Sequence, residues 1–281
     1  MTRLDVRKTH KLYINGEFPR SESGRTYPAE DATGEVVARM ARASRKDLRD
    51  AVRAARNALV GWATKTGYNR GQILYRMAEM TEDRADGFAE QLQVGGLSPA
   101  RARTEVGRSI DRLVWYAGWC DKFTQIYGNL NPVAGPFFNI SHPEPTGVVG
   151  VLAPEEPALL GLVTRIAPIL AGANTTVVLA SQSRPLPAIT FAEVLETSDL
   201  SPGVVNILTG SHPELVPWLA DHMDVNAIDA TSAPADLRLR LEEGSVHNVK
   251  RVMAAEDPEG QSPYLIAAFT ETKTVWHPKG L

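Results

Sequence analysis

The stretch VVGVLA, residues 148–153, decides the fold, because its successive apolar positions require burial on both faces of a strand. A helical pattern follows from Pro157 to Ala171, and the alternation of apolar runs and helices then continues. Further runs and helical segments are Thr175 to Leu179, Pro187 to Thr197, Val204 to Leu208, Pro213 to Ala220 and Val225 to Asp229. Buried strands joined by helical crossovers predict an α/β fold with a doubly wound, Rossmann-like parallel sheet.

Three helical patterns precede this sheet. The first begins at about Ser44, where Asp47 completes a capping box. The second runs from about Tyr68 to Val94, and the third runs from Pro99 to about Gln125. The predicted sheet is therefore preceded by helices.

Two β-rich segments lie outside the alternating pattern. The stretch from Gly128 to Pro145 contains Pro, Gly and Asn and predicts turns and an edge ribbon. The tail reads SPYLIAAFTETKTVWHPKGL from Ser262, where one β-rich run passes into another. Two strands are expected there, and the second contains Thr272, Lys273, Thr274, Val275 and Trp276. For Trp276 an interface role is favoured over an active-site role.

Composition excludes several classes of protein. The chain has 281 residues, 43% of them hydrophobic and 22% charged, and its net charge of −3 gives no general attraction to nucleic acid or membranes. The N-terminal residues lack the apolar core of a signal peptide, and no window approaches the length of a membrane span. A cytoplasmic location is therefore expected.

The sequence offers few candidates for chemistry. It lacks GxGxxG and GxxxxGK[ST] motifs, and its six histidines show no metal-ligand spacing. The single cysteine, Cys120, lies among aromatic residues, where an inert buried thiol is the ordinary case. Glu155 and Glu156 follow the strand that ends at Ala153. They are interpreted as acids in the first turn of the next helix, and the alternative, a catalytic pair, stays open.

Several motifs occur in one order and resemble the aldehyde dehydrogenase family over nearly the whole chain. They are KLYINGEF, YAGWCDK, EPTGVVGVLAP, APILAGANTTVVLAS, LSPGVVNILTG and FTETKTVW. The resemblance implies an NAD-binding-like domain at residues 1–126 and 147–261 and an oligomerisation arm at 127–146 and 262–281. Within a few residues of Leu265 the chain passes to the family's C-terminal oligomerisation strand, so the catalytic domain with its cysteine nucleophile is expected to be absent. Cys120 matches a framework position.

The chain departs from the family pattern where the resemblance implies chemistry. Glu156 takes the place of the Asn that stabilises the oxyanion, and Leu179 and Gln182 take the places of the Lys and Glu that hold the adenosine ribose. Ser232 replaces the Gly that lets a helix approach the pyrophosphate, and the general base is matched ambiguously by Glu256 or Asp257. A degenerate site without NAD and without catalytic residues is therefore expected.

These departures predict a catalytically inactive subunit, similar to the inactive second module of large two-module aldehyde dehydrogenases. Residues Thr272 to Trp276 are expected to join this subunit to a full-length NAD(P)-dependent aldehyde dehydrogenase, which it would stabilise or regulate. Three alternatives stay open: a nucleotide-binding sensor, a homo-oligomer, and an enzyme with new chemistry on Glu155 and Glu156.

Overall fold

The fold was analysed in a computed structural model, which describes residues 6–255, 257 and 259–280. The strands are β1 (Thr9–His10), β2 (Thr26–Glu30), β3 (Val36–Ala41), β4 (Asn129–Asn131), β5 (Phe137–Pro145), β6 (Val148–Leu152), β7 (Thr175–Leu179), β8 (Val205–Leu208), β9 (Ala227–Asp229), β10 (Arg251–Met253) and β11 (Thr270–Pro278). The helices are α1 (Arg45–Ala63), α2 (Gly67–Asp83), α3 (Ala85–Val94), α4 (Pro99–Ala117), α5 (Phe123–Tyr127), α6 (Ala158–Ala171), α7 (Leu186–Glu196), α8 (His212–Asp221), α9 (Ala235–Ser245) and α10 (Tyr264–Ala267).

The central sheet confirms the predicted parallel α/β architecture. Its five strands lie in the order β10-β9-β6-β7-β8, and neighbouring strands are parallel. Every residue of β6 and β7 is buried, because apolar clusters pack on both faces of the sheet. Helix α6 is also buried along its whole length. The end of β6 therefore lies at the centre of the carboxyl edge, where such sheets bind ligands.

Of the three helical patterns before the sheet, the first forms one helix and the other two are each divided into two helices. The capping box of α1 is present, with Ser44 Oγ accepting from the backbone of Asp47. The second pattern divides into α2 and α3 at Arg84, whose backbone leaves the helical region (φ −106°, ψ 14°). The third divides into α4 and α5, with a turn at residues 118–122. The apolar spacing continues across both breaks, so periodicity alone did not reveal them.

Between the central sheet and the arm, the chain packs against the body of the protein, which consists of the central sheet and the helices around it. Residues Tyr264 to Ala267 form the short helix α10, so the prediction of two tail strands is wrong for the first of them. Ile266 and Phe269 are fully buried in the main apolar cluster, and a helical turn directs Ile266 into it. Residues 264–269 therefore belong structurally to the body, although the sequence placed them in the arm.

The arm is a three-stranded antiparallel sheet in the order β11-β5-β4. Strand β11 pairs with β5 over nine residues without a register shift, from Thr270 opposite Pro145 to Pro278 opposite Phe137. Since β11 is an edge strand, one of its two hydrogen-bonding sides has no neighbour in this sheet. Among the described residues, no helix is both long enough and apolar enough to cross a membrane.

Candidate functional site at the carboxyl edge of the sheet

The loop between β7 and α7 surrounds the carboxylate of Glu155, which comes from the end of β6. Its Oε2 accepts hydrogen bonds from Ser181 Oγ (2.6 Å) and from the backbone N–H of Ser183 (2.9 Å), and its Oε1 accepts one from the N–H of Gln182 (3.0 Å). The hydroxyl of Ser183 donates a fourth bond to Oε2. The carboxylate therefore bridges the ends of two neighbouring strands.

These contacts govern the charge of Glu155. Partial burial raises its pKa, but the hydrogen bonds from Ser181, Ser183 and the backbone N–H of Gln182 lower it by more, so the net shift of the pKa is downward. Glu155 is therefore ionised at neutral pH. It is held as an anion, which suits a hydrogen-bond acceptor and does not suit a general acid.

Glu156 turns to a different partner from its neighbour. Its Oε1 lies 2.5 Å from a guanidinium nitrogen of Arg184, in an ion pair at the surface. The two carboxylates therefore do not face one another as a catalytic pair would. Nor do they lie in the first turn of α6, since that helix begins at Ala158 after Pro157 in the N-cap position. The first-turn interpretation is therefore wrong, because both residues precede the helix and their side chains contact the β7–α7 loop instead.

Leu179 and Gln182 come from the end of β7 and from the loop that follows it, and their side chains have different surroundings. Leu179 is the last residue of β7, and its fully buried side chain belongs to the apolar cluster on one face of the sheet. Gln182 instead reaches across to α8, where its Oε1 accepts a hydrogen bond from the backbone N–H of His212 (3.1 Å). The His212 ring nitrogen Nε2 in turn lies 2.8 Å from the carbonyl oxygen of Ala180. The side chains of Gln182 and His212 therefore link the loops after β7 and β8 by hydrogen bonds.

The loop after β9 is organised by a buried ion pair. Asp229 and Arg165 are each about 1% exposed and lie 3.5 Å apart, and Asp229 Oδ1 also accepts from the hydroxyl and the N–H of Thr231. Burial raises the pKa of Asp229, while Arg165 and Thr231 oppose that shift. Ser232 follows, half-buried, in the turn toward α9. This network sets the position of the turn.

The N-terminus of α9, the helix that follows Ser232, carries a negative charge. Pro234 occupies its N-cap without a side-chain hydrogen bond, and Asp236 lies in its first turn. An acid in this position is favoured by the helix dipole, and it opposes the approach of a phosphate to the same helix end.

Two buried charged side chains on α4, those of Glu105 and Arg112, were not among the residues predicted from the sequence. Glu105 Oε1 accepts hydrogen bonds from the N–H groups of Leu159 (2.8 Å) and Leu160 (3.2 Å) and so caps α6 from another helix. Arg112 donates to Thr164 Oγ1 (2.7 Å) and to the carbonyl oxygens of Glu259 (2.9 Å) and Gly260 (3.1 Å). The sequence contains a pattern that could have indicated a buried polar face on this helix. Polar residues recur with helical spacing beside the apolar stripe, at Glu105, Ser109, Arg112 and Tyr116.

The remaining candidates carry no assembled chemistry. Cys120 is buried, as predicted, and burial raises the pKa of its thiol to about 12. Within residues 6–255, 257 and 259–280, no three His, Cys, Asp or Glu side chains are grouped so that they could hold a metal ion. Of the two general-base candidates, Glu256 lies outside the described residues, and Asp257 accepts a hydrogen bond from the N–H of Glu259 through Oδ1 (3.0 Å).

The predicted interface residues Thr272 to Trp276 all lie in β11 and are all exposed. Thr274 Oγ1 lies 2.8 Å from Ser141 Oγ, and Trp276, 58% exposed, packs edge-to-face against Phe137 with ring centroids 5.8 Å apart. Lys273 forms an ion pair with Glu144. The strand is thus held to β5 by side chains as well as by its backbone.

Comparison with known proteins agrees with this architecture. The aldehyde dehydrogenase family pattern matches residues 19–275. The chain is 34% identical to cytosolic 10-formyltetrahydrofolate dehydrogenase of Pongo abelii over 94% of its length, and 33% identical to aldehyde dehydrogenase 1A1 of Oryctolagus cuniculus over 95%. It spans only 30% of the first relative and 54% of the second.

Solved structures give the same result. The NAD+ complex of aldehyde dehydrogenase from Bacillus cereus superposes with a TM-score of 0.81 at 27% identity, covering 87% of this chain and 50% of that one. HpcC from Thermus thermophilus superposes with a TM-score of 0.83 at 29% identity, covering 88% and 48%. The chain therefore belongs to the aldehyde dehydrogenase family.

Proposed function

We propose that this chain is a catalytically inactive aldehyde dehydrogenase-like subunit that joins a full-length NAD(P)-dependent aldehyde dehydrogenase through the free edge of β11 and stabilises or regulates it. The observation that carries the proposal is the exposed nine-residue edge strand itself. Long unprotected edges are rare in isolated proteins, because their unpaired backbone groups pair readily with another strand.

The register identifies the backbone groups that a partner strand would meet. Thr146 N–H donates to the carbonyl oxygen of Phe269 (3.2 Å), and Lys279 N–H donates to that of Pro136 (2.7 Å), so odd-numbered residues of β11 face β5. In an antiparallel ladder the residues between them point the opposite way. The N–H and C=O groups of Thr272, Thr274 and Trp276 are therefore directed outward.

One face of the arm also carries exposed apolar side chains. In the register of the sheet, Ile140 lies opposite both Leu130 and Val275, and Phe138 lies two residues from Ile140 on the same strand face. All four side chains are exposed. A continued sheet would cover part of this apolar face as well as the free edge, and this adds a hydrophobic contribution to strand pairing.

The proposed inactivity rests on the residues at the carboxyl edge. The resemblance places Glu156 where an Asn would donate to an oxyanion; a carboxylate there would repel the developing charge. Leu179 is committed to the core and Gln182 to His212, so neither is available to a ribose. With Glu155 in the β7–α7 loop and Asp236 at the start of α9, the residues present do not fit a dinucleotide. No catalytic step is therefore assigned to NAD.

Assembly can be tested by co-expressing the chain with each full-length aldehyde dehydrogenase of its own organism and measuring complex mass by native mass spectrometry. The informative variant is Thr272→Pro, which removes one outward N–H, and Thr272→Val is its matched control. Proline is tolerated on edge strands when its missing N–H would face solvent, so the isolated chain should keep its stability. We expect the proline variant to lose the complex and the valine variant to keep it.

Complexes that form equally well with both variants would refute assembly through this edge. A chain that forms only homo-oligomers would refute the partner-subunit proposal as a whole. Inactivity is tested on the isolated chain, which should oxidise no aldehyde with NAD or NADP and should show no thermal shift with either nucleotide. A nucleotide-dependent rise in melting temperature would favour the nucleotide-binding sensor instead.

A further inference from the structure

We propose that residues Ser181 to Ser183 form a binding nest for a phosphate-like oxyanion and that the carboxylate of Glu155 is its built-in ligand. The inference deepens the proposed loss of nucleotide binding. The proposed loss of nucleotide binding then has a second cause besides the replaced family residues, because the chain supplies an anion of its own to the loop.

The first support is the number and kind of donors. Two hydroxyl groups and two successive backbone N–H groups converge on one carboxylate, at distances of 3.0 Å or less. Successive N–H groups that point into one concavity are a common way for proteins to bind anions. Ser181 is itself oriented, because its Oγ accepts a hydrogen bond from the N–H of Arg184 (2.9 Å). The donors are thus arranged before any external ligand arrives.

A second contact holds the same loop. The Arg184 side chain is three-quarters buried and its guanidinium pairs with Glu156, so two consecutive carboxylates that follow β6 hold one loop. All four donors of the nest are already engaged by Glu155. An external anion can therefore bind these donors only when Glu155 leaves them.

The test uses the isolated full chain and inorganic phosphate. In Glu155→Ala the four donors lose their ligand, and phosphate should raise the melting temperature by about 3 °C at millimolar concentration through mass action, measured against sodium chloride of equal ionic strength. The wild type should show no phosphate-specific rise. Glu156→Ala is the matched control, because it removes the same charge one residue away and leaves Glu155 in the nest.

Amide hydrogen exchange locates the effect. The N–H groups of Gln182 and Ser183 should exchange slowly in the wild type, faster in Glu155→Ala, and slowly again when phosphate is added. If Glu155→Ala fails to fold, Glu155→Gln keeps the side-chain size, removes the charge, and should show the same phosphate dependence to a smaller extent.

Two results would overturn the inference. One is the absence of phosphate-specific stabilisation in both Glu155 variants. The other is an equal response in wild type and Glu156→Ala, which would identify binding elsewhere. Neither result bears on assembly through β11, because no partner is present in the experiment.

Discussion

Replacement of Arg112 by methionine should release the short junction that leads from the central sheet to the arm. The Arg112 side chain is 4% exposed, and its guanidinium joins α4 to Thr164 and to the backbone carbonyls of Glu259 and Gly260. Methionine keeps the unbranched aliphatic stem but lacks the guanidinium and donates no hydrogen bond. The substitution therefore removes the anchor while it keeps the packing of the stem.

The expected cost follows from these three contacts. Hydrogen bonds to a charged group contribute about 1.5–3 kcal/mol each. The three bonds share one guanidinium and are not additive, and water can reach the junction carbonyls once they are released. We therefore expect the free energy of unfolding to fall by about 2–4 kcal/mol.

Urea unfolding followed by tryptophan fluorescence would measure this loss, and limited proteolysis would report the junction directly. Arg103→Met is the matched control, since Arg103 is exposed on the same helix. We expect faster cleavage near residues 259–262 in Arg112→Met and unchanged cleavage in the control. Stability within about 0.5 kcal/mol of the wild type, the range of an ordinary surface substitution, together with unchanged cleavage, would refute the assigned role of Arg112.

Three further predictions concern other contacts. Glu105→Ala should lower the free energy of unfolding in urea by about 2 kcal/mol because α6 loses its cap, and Glu105→Gln, which keeps an acceptor, should lose less. Burial lowers the pKa of Lys250 from 10.5 to about 8. The folded chain therefore binds fewer protons than the unfolded chain between these values, and wild-type stability should rise relative to Lys250→Met as the pH increases from 8 to 10.5, with no such rise below pH 8. Trp276→Ala should speed amide exchange in β5 by removing the packing on Phe137, whereas Trp276→Phe should not; equal exchange rates would contradict this role.

The order of the central elements could be predicted from the sequence because burial imposes strong patterns on it. The predicted bounds of β7 agree with the structure, and those of β6, β8 and β9 differ by two residues or fewer. The breaks at Arg84 and after Ala117 were missed, because each is a local change of backbone direction within a continuous apolar stripe. The helix α10 was missed because Leu265 and Ile266 are compatible with a strand as well as with a helical turn.

The candidate site was less accessible to sequence reasoning. The family resemblance pointed to Glu156, Gln182 and Ser232, but it did not reveal which groups their side chains would contact. The partners of Glu155 come from a loop more than twenty residues later, and the cap of α6 comes from Glu105, 54 residues before Leu159. Neither pairing follows a local spacing rule. Such contacts depend on how the elements pack, and a single sequence does not encode that as a short-range pattern.

The charged residues at the carboxyl edge of the central sheet all have partners within the fold. A buried charge that loses its partner costs several kcal/mol, which is a large fraction of the 5–15 kcal/mol that typically stabilises a domain. Here the buried Asp229 has Arg165 and Thr231 as partners. Glu155 and Glu156, which lie nearer the surface, have four donors and Arg184, respectively. Ile266 and Phe269 similarly complete the core where the chain passes into the arm. These residues therefore stabilise the fold, whereas the outward edge of β11 makes no contact within the arm sheet. This contrast agrees with the proposed assembly through β11, which the Thr272→Pro variant tests.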